Sequence, residues 1–426
     1  MNVKDNVCSF PKLYLGYKKS KESVLWKDSV SCWYIHSLAK TRKLKLSHYN
    51  GTYKISPYPI FIIREPKERK ITSTRFKDRV FQRSLCDNYL TKELTKHFIS
   101  NNFACQKGKG TLKAQQCLDT MLRQFYKENG TNGYVLKLDI HDYFGSTDHQ
   151  VAVKAIADRI DDEWVLGHVT NIINSFDKGI GLGSQVSQLI QLAVLDDIDK
   201  YIVNELHIKF YERYMDDLIL IDSSKEFLKK CKGKIISLLK QKKLEVSPRK
   251  TFIAKVTQNI HFLGFSFLLH NNGSVTWKLL PKTLSRLRKK FLNELNVISP
   301  CEVEENYKNT KKSFIRHTDS RNQIRKLDKL MEEKIMNAEL IKLKNELGKE
   351  RAETECLKDK QERNLKINEE VCKVYSLSTQ IAIIRKGLAH MGCDLDEFVA
   401  FNEFVEETKK AIDSEDKNAH NAQNGK

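Results

Sequence analysis

The sequence predicts an α+β fold, with antiparallel strands in the middle of the chain, helices around them and a helical C-terminal extension. Three segments carry that expectation. Ile208–Tyr214, Met215-Asp216-Asp217 and Leu218–Asp222 form apolar, β-branched flanks around a polar tip, the pattern of a hairpin. Tyr134–Ile140 is a short apolar run that reads as a buried strand. Val186, Leu189, Ile190, Ala193, Val194 and Ile198 recur at helical spacing, as do Leu284, Leu287, Phe291 and Leu295 after Pro281.

Along the chain, residues 1–55 mix Trp26, Trp33 and Tyr34 with a Lys/Arg-rich helical run to about Lys45. Lys178–Ser184 places glycines at three alternate positions, 179, 181 and 183, just before a helix. Such a loop lets backbone approach a phosphate or a base pair, and it reads equally as an ordinary turn. Phe267–Trp277 reads as a second hairpin. Residues 328–370 are rich in Glu, Lys, Leu and Asn, with Ile335, Leu340, Leu343 and Leu347 in a partial heptad stripe. They predict a long exposed helix or a short coiled coil, which leaves oligomerisation through it open. Residues 371–410 regain helical apolar spacing, and 411–426 read as a disordered tail.

The acids carry the chemistry. The turn puts Asp216 and Asp217 side by side, where they repel unless a cation holds them. Hard Mg²⁺ takes oxygen ligands and is commonly shared between one or two carboxylates and substrate phosphates. Asp139 ends the buried strand, and burying a carboxylate there is costly unless it is paired or metal-bound. It reads either as the third member of an acidic triad or as a helix cap or core salt bridge. A triad of this kind can hold two Mg²⁺, which clamp the attacking and leaving oxygens of an in-line phosphoryl transfer.

In order along the chain, eight segments resemble the reverse transcriptases, the bacterial ones in particular: Arg64–Ile71, Phe76–Gln82, Phe103–Thr111, Leu138–Phe144, Gly181–Gln188, Tyr214–Asp217, Leu244–Thr251 and Ile260–Phe265. The resemblance implies a right-hand polymerase: fingers over 56–125, a palm with an antiparallel sheet over 126–270 and a helical thumb over 271–330. Residues 1–55 would be an N-terminal extension touching the template, and 331–410 a helical C-terminal extension. It also implies an RNA-directed DNA polymerase with catalytic Asp139, Asp216 and Asp217, and a metal set of Asp139, Ile140, Asp216 and Asp217. The nucleotide site would comprise Lys70, Arg79, Phe144, Gly183 and Lys250, with Lys67 and Arg69 as alternatives on the triphosphate. Phe262-Leu263-Gly264 would grip the primer. Phe144 would pack under the sugar and exclude a 2′-hydroxyl, although by itself it reads equally as core. Gly181-Leu182-Gly183 replaces the Pro-Gln-Gly of retroviral and group II intron enzymes. The Ser187-Gln188 ending resembles defence-associated (antiphage, "unknown group") and diversity-generating-retroelement enzymes. That leaves antiphage defence with a structured non-coding RNA as template, a retroelement copier, or a nucleic-acid-binding scaffold that keeps the fold without turnover. Deoxynucleotides and a DNA product complete the expected partners.

Charge agrees with such a partner. The 74 Lys+Arg exceed the 54 Asp+Glu by 20, and residues 301–426 hold 24 basic against 25 acidic residues. The excess therefore lies within residues 1–300, as a nucleic-acid channel requires. Ten cysteines include no Cys-x-x-Cys pair, and no apolar run approaches membrane length. A cytoplasmic protein with free thiols and no membrane partner is expected.

Overall fold

The computed structural model describes residues 2–64, 68–315 and 319–357. Lys67 and the segments expected over 371–410 and 411–426 lie outside the described residues. The chain divides into two compact units that interleave in sequence.

The first unit takes in residues 1–98 and 142–197. Four helices open it: Val3–Cys8, Phe10–Lys21, Asp28–Ile35 and Ser37–Tyr49. A two-stranded antiparallel ribbon follows, β1 (Ile60–Ile63) with β2 (Arg69–Thr72). Helix Phe76–Leu85 packs on Phe10–Lys21 and on Gln185–Val194. The helix starts are written in the sequence. The Asp148 carboxylate accepts from the backbone N–H of Gln150 and Val151, and Asp162 accepts from Val165. Capping of this local helix thus falls to Asp148, not Asp139. Val7, Leu13, Tyr17, Val80, Phe81, Ile156, Val169 and Ile190 are buried. Beside them, the His48 ring lies 4.1 Å from each of Tyr53 and Phe81 and 5.2 Å from His168.

Of the described residues, the second unit takes in 99–141 and 198–357. Its centre is a four-stranded antiparallel sheet in the order β4 (Phe210–Tyr214), β5 (Asp217–Asp222), β3 (Tyr134–Asp139), β6 (Phe252–Lys255). The expected hairpin and buried strand are therefore real and pair with each other. Period-2 alternation sends Val135, Ile219, Ile221 and Phe210 into a core with Leu118, Leu122 and Phe125 of helix Thr111–Asn129. A three-stranded sheet, β7 (Ile260–Phe262), β8 (Phe265–Leu269) and β9 (Val275–Leu279), closes the same core. The second expected hairpin is β8–β9. Helices Pro281–Glu294, Pro300–Ile315 and Arg321–Leu357 follow. The last helix starts earlier than the heptad pattern indicates. Among the described side chains its buried stripe is Ile324, Leu327, Met331 and Ile335, packed with Phe291, Val303 and Tyr307, while the side chains of Leu340, Leu343 and Leu347 lie outside the described ones. Among the described residues no helix is long and apolar enough to cross a membrane.

Candidate active site

Antiparallel register sets Asp139 directly opposite Asp217, and Tyr214 opposite Asp217 on the other side. Directly opposed residues lie about 4.5–5.5 Å apart at Cα, so two of the three expected acids converge through backbone pairing alone. The third is in the turn. Only Met215 and Asp216 join β4 to β5, and Met215 has φ 53°, the left-handed backbone such a short connection requires. Two links hold the turn. Ile140 N–H donates to the Asp216 carbonyl at 3.3 Å, and the guanidinium of Arg213 donates to the Met215 carbonyl at 3.1 Å. Arg213 is fully buried, and its Nε and Nη2 reach the equally buried Asp199 at 2.6–2.9 Å. The hydroxyl of Tyr211 donates to the same carboxylate.

Two lysines share the acids. Lys250 Nζ donates to both Asp139 oxygens, at 2.7 and 2.8 Å. The salt bridge foreseen as an alternative for Asp139 is therefore present, but not in the core, because its cation from the Leu244–Thr251 segment is exposed. Lys137 Nζ lies 3.1 Å from Asp217 Oδ1 and donates to the His261 carbonyl at 2.8 Å. Asp217 Oδ1 is buried, and the Lys137 ammonium is its ion-pair partner. Burial, then the charge of Asp217, pushes the Asp216 carboxyl up to about 6. Burial also raises Asp217, against the attraction of Lys137. Burial works to lower Lys250, but the hydrogen bond and charge of Asp139 outweigh it and leave its ammonium above the ordinary range.

His261 precedes the expected primer-grip residues. Phe262 is buried, while Leu263 and Gly264 turn the chain with φ 44° and 88°. The Leu263 carbonyl accepts from Gln115 and that of Gly264 from Thr283. Lys137 thus ties this turn to the carboxylates.

The remaining expected residues belong to the first unit. The Phe144 ring is half-buried and meets Tyr143 edge-on at 6.0 Å. Its carbonyl accepts from Ile180 at 2.7 Å. Gly179 has φ 67°, and a Cβ there would sit 2.4 Å from that carbonyl, so the first glycine is required. Gly183 has φ 121°, and the Leu182 carbonyl beside it accepts from Thr72 N–H of β2. The glycine loop, Phe144 and the strand bearing Lys70 are therefore brought together. Lys70 lines a cleft of about 420 Å³ with Tyr58, Phe176 and Lys178. Arg79 is half-buried, points its guanidinium at Ser73 and the Thr74 carbonyl, and is lowered by burial.

Residues 64–267 match the family model described as reverse transcriptase (RNA-dependent DNA polymerase). This segment is a reverse transcriptase domain. The activity that this family description names is that of an RNA-directed DNA polymerase, a nucleotidyltransferase. Solved structures similar to the chain include the apo telomerase of Candida tropicalis truncated from its C-terminal domain, at 15% identity and TM-score 0.39, covering 55% of this chain and 59% of that one. Another is the telomerase of Candida albicans in complex with the TWJ fragment of telomeric RNA, at 10% identity and TM-score 0.42, covering 66% and 58%. The chain therefore spans less than two thirds of the length of each. Among curated proteins none matches.

Reverse transcriptases generally use divalent metals, usually Mg²⁺. The side-chain donors of this domain fit one: they are hard carboxylate oxygens, and burial together with the charge of Asp217 raises Asp216, a load that a cation would relieve. Among the described residues no three such side chains converge as a ligand set, and both Asp139 oxygens accept from Lys250. Sequence reasoning missed Lys137, Arg213 and Asp199. Lys137 was findable, since period 2 puts it on the same sheet face as Asp139. Nothing in the sequence ties Arg213 to an aspartate 14 positions away.

Proposed function

We propose that the protein is an RNA-templated DNA polymerase in which Asp139, Asp216 and Asp217, with the Ile140 backbone alongside, hold two Mg²⁺. The observation that carries this reading is the β3–β5 register that opposes Asp139 and Asp217, with Asp216 in the adjoining turn. Bound ions would supply charge neutralisation at the attacking and leaving oxygens of an incoming triphosphate. The chain's own groups do the positioning. Arg213 fixes the turn, and Lys137 holds Asp217 and the primer-grip turn together. Lys250 neutralises Asp139 and is available to the nucleotide. Lys70 and Arg79 serve the triphosphate, Gly183 the base pair, and Phe144 the sugar, which selects deoxynucleotides. The fingers, palm and thumb then follow the boundaries 56–125, 126–270 and 271–330. The Ser187-Gln188 ending resembles defence-associated and retroelement enzymes alike, and the helical extension expected after residue 330 favours antiphage defence, with a structured non-coding RNA as template.

Asp217→Asn and Asp216→Asn are expected to abolish Mg²⁺-dependent deoxynucleotide incorporation on a primed RNA template while leaving RNA binding unchanged. Undiminished incorporation by either variant would overturn the assignment. Sequencing the RNA that co-purifies with the protein tests the template: one recurrent structured RNA is expected, and a copied repeat with adenine-directed changes would move the role to a retroelement.

A further inference from the structure

We infer that the first unit carries a binding surface for single-stranded RNA on the turn and helix around Leu25–Ile35, using none of the residues assigned to catalysis. The Trp26 side chain is 78% exposed, and Ile35 is 71%, Tyr34 46% and Leu25 45% exposed. Four large apolar side chains within eleven positions, all outward, cost water contact that folding normally removes. Each ring has a lysine against it. Lys27 Nζ lies 5.0 Å from the Trp26 centroid and Lys21 Nζ 4.8 Å from that of Tyr34. Residues 1–55 hold 11 Lys+Arg against 3 Asp+Glu.

Exposed rings flanked by cations are what single strands need. Each base stacks on an aromatic face whatever its identity, and the ammonium groups track the phosphates. A duplex hides its base faces and cannot use the rings. A membrane fits less well, because the apolar faces of these helices already point inward. Leu13, Tyr17, Val30, Trp33, Leu38 and Leu44 are buried, so no continuous apolar stripe faces outward. The charge excess favours a polyanion over an apolar protein partner, and its contribution is salt-dependent.

The test uses the full chain with a saturating unlabelled primer–template duplex, so that the polymerase site is occupied. Anisotropy of a labelled, unstructured 20-nucleotide RNA is then read. Wild type is expected to bind it, and Trp26→Ala/Tyr34→Ala to lose affinity by about tenfold or more. Affinity for the fully paired duplex should be unchanged. Trp26→Phe/Tyr34→Phe keeps the ring faces and is expected to retain most of the binding. Equal single-strand affinity in wild type and the alanine variant overturns the inference, as does a loss shared by the duplex or by the phenylalanine variant. Binding to phosphatidylserine vesicles in place of RNA would assign the surface to a membrane. Absent incorporation by wild type would sink the polymerase reading alone and leave this surface standing.

Discussion

Replacing Arg213 by methionine removes the cation from a pair in which neither partner is exposed to solvent. It leaves Asp199 buried without its counter-charge and frees the Met215 carbonyl. Removing one member of a buried pair costs about 3–5 kcal/mol, because the remaining charge stays desolvated. Converting the whole group to apolar residues, Asp199→Leu/Tyr211→Phe/Arg213→Met, removes that penalty, and such replacements are often near neutral. The two variants separate stability from positioning. In urea unfolding, the single variant should lose about 3–5 kcal/mol, and the triple variant should recover most of it. Primer extension should stay depressed in both, by roughly tenfold to a hundredfold in kcat. The Met215-Asp216 turn has lost the bond that sets it, and a displacement near 1 Å can cost about a hundredfold. A triple variant that regains full kcat would refute the positioning role of Arg213. A single variant as stable as wild type would refute the energetics.

Three further outcomes follow from the same geometry. Phe144→Ala should admit ribonucleotides, read as a fall in the ratio of kcat/KM for dNTP over rNTP; an unchanged ratio removes Phe144 from the sugar site. Gly179→Ala forces a Cβ to 2.4 Å from the Phe144 carbonyl in a backbone with φ 67°, so both thermal stability and incorporation should drop, while Gly167→Ala, where nothing lies within 4 Å, should leave both intact. Stability should also fall below pH 6.5. His48 is 3% exposed, and burial, then the charge of His168, lowers it to about 3. The unfolded chain therefore binds the proton first, and the penalty grows as pH drops from the unfolded pKa towards the folded one. At pH 5 it reaches roughly 2 kcal/mol from this ring alone. His48→Phe should flatten that part of the urea-midpoint profile, and an identical slope would exclude His48 as its source.

Much of the centre was legible in one dimension, because it is built from short-range rules. A two-residue connection between β-branched runs makes a hairpin, and a carboxylate at the end of an apolar run has to meet a cation. Asp139, Asp216 and Asp217 could therefore be named from residue type and spacing. The glycine loop was legible for the same reason, since Gly179 and Gly183 announce positive φ and close backbone approach.

Tertiary structure decided which strands pair and which charges meet. That Asp139 faces Asp217, with no offset along the strand, is a matter of β3–β5 register, which depends on burying Val135, Ile219 and Ile221 against one helix. Lys250 reaches Asp139 from 111 positions away, and Arg213 finds Asp199 under the sheet. Coulomb attraction and desolvation depend on separation in space and on exclusion of water, and neither quantity is encoded by distance along the chain.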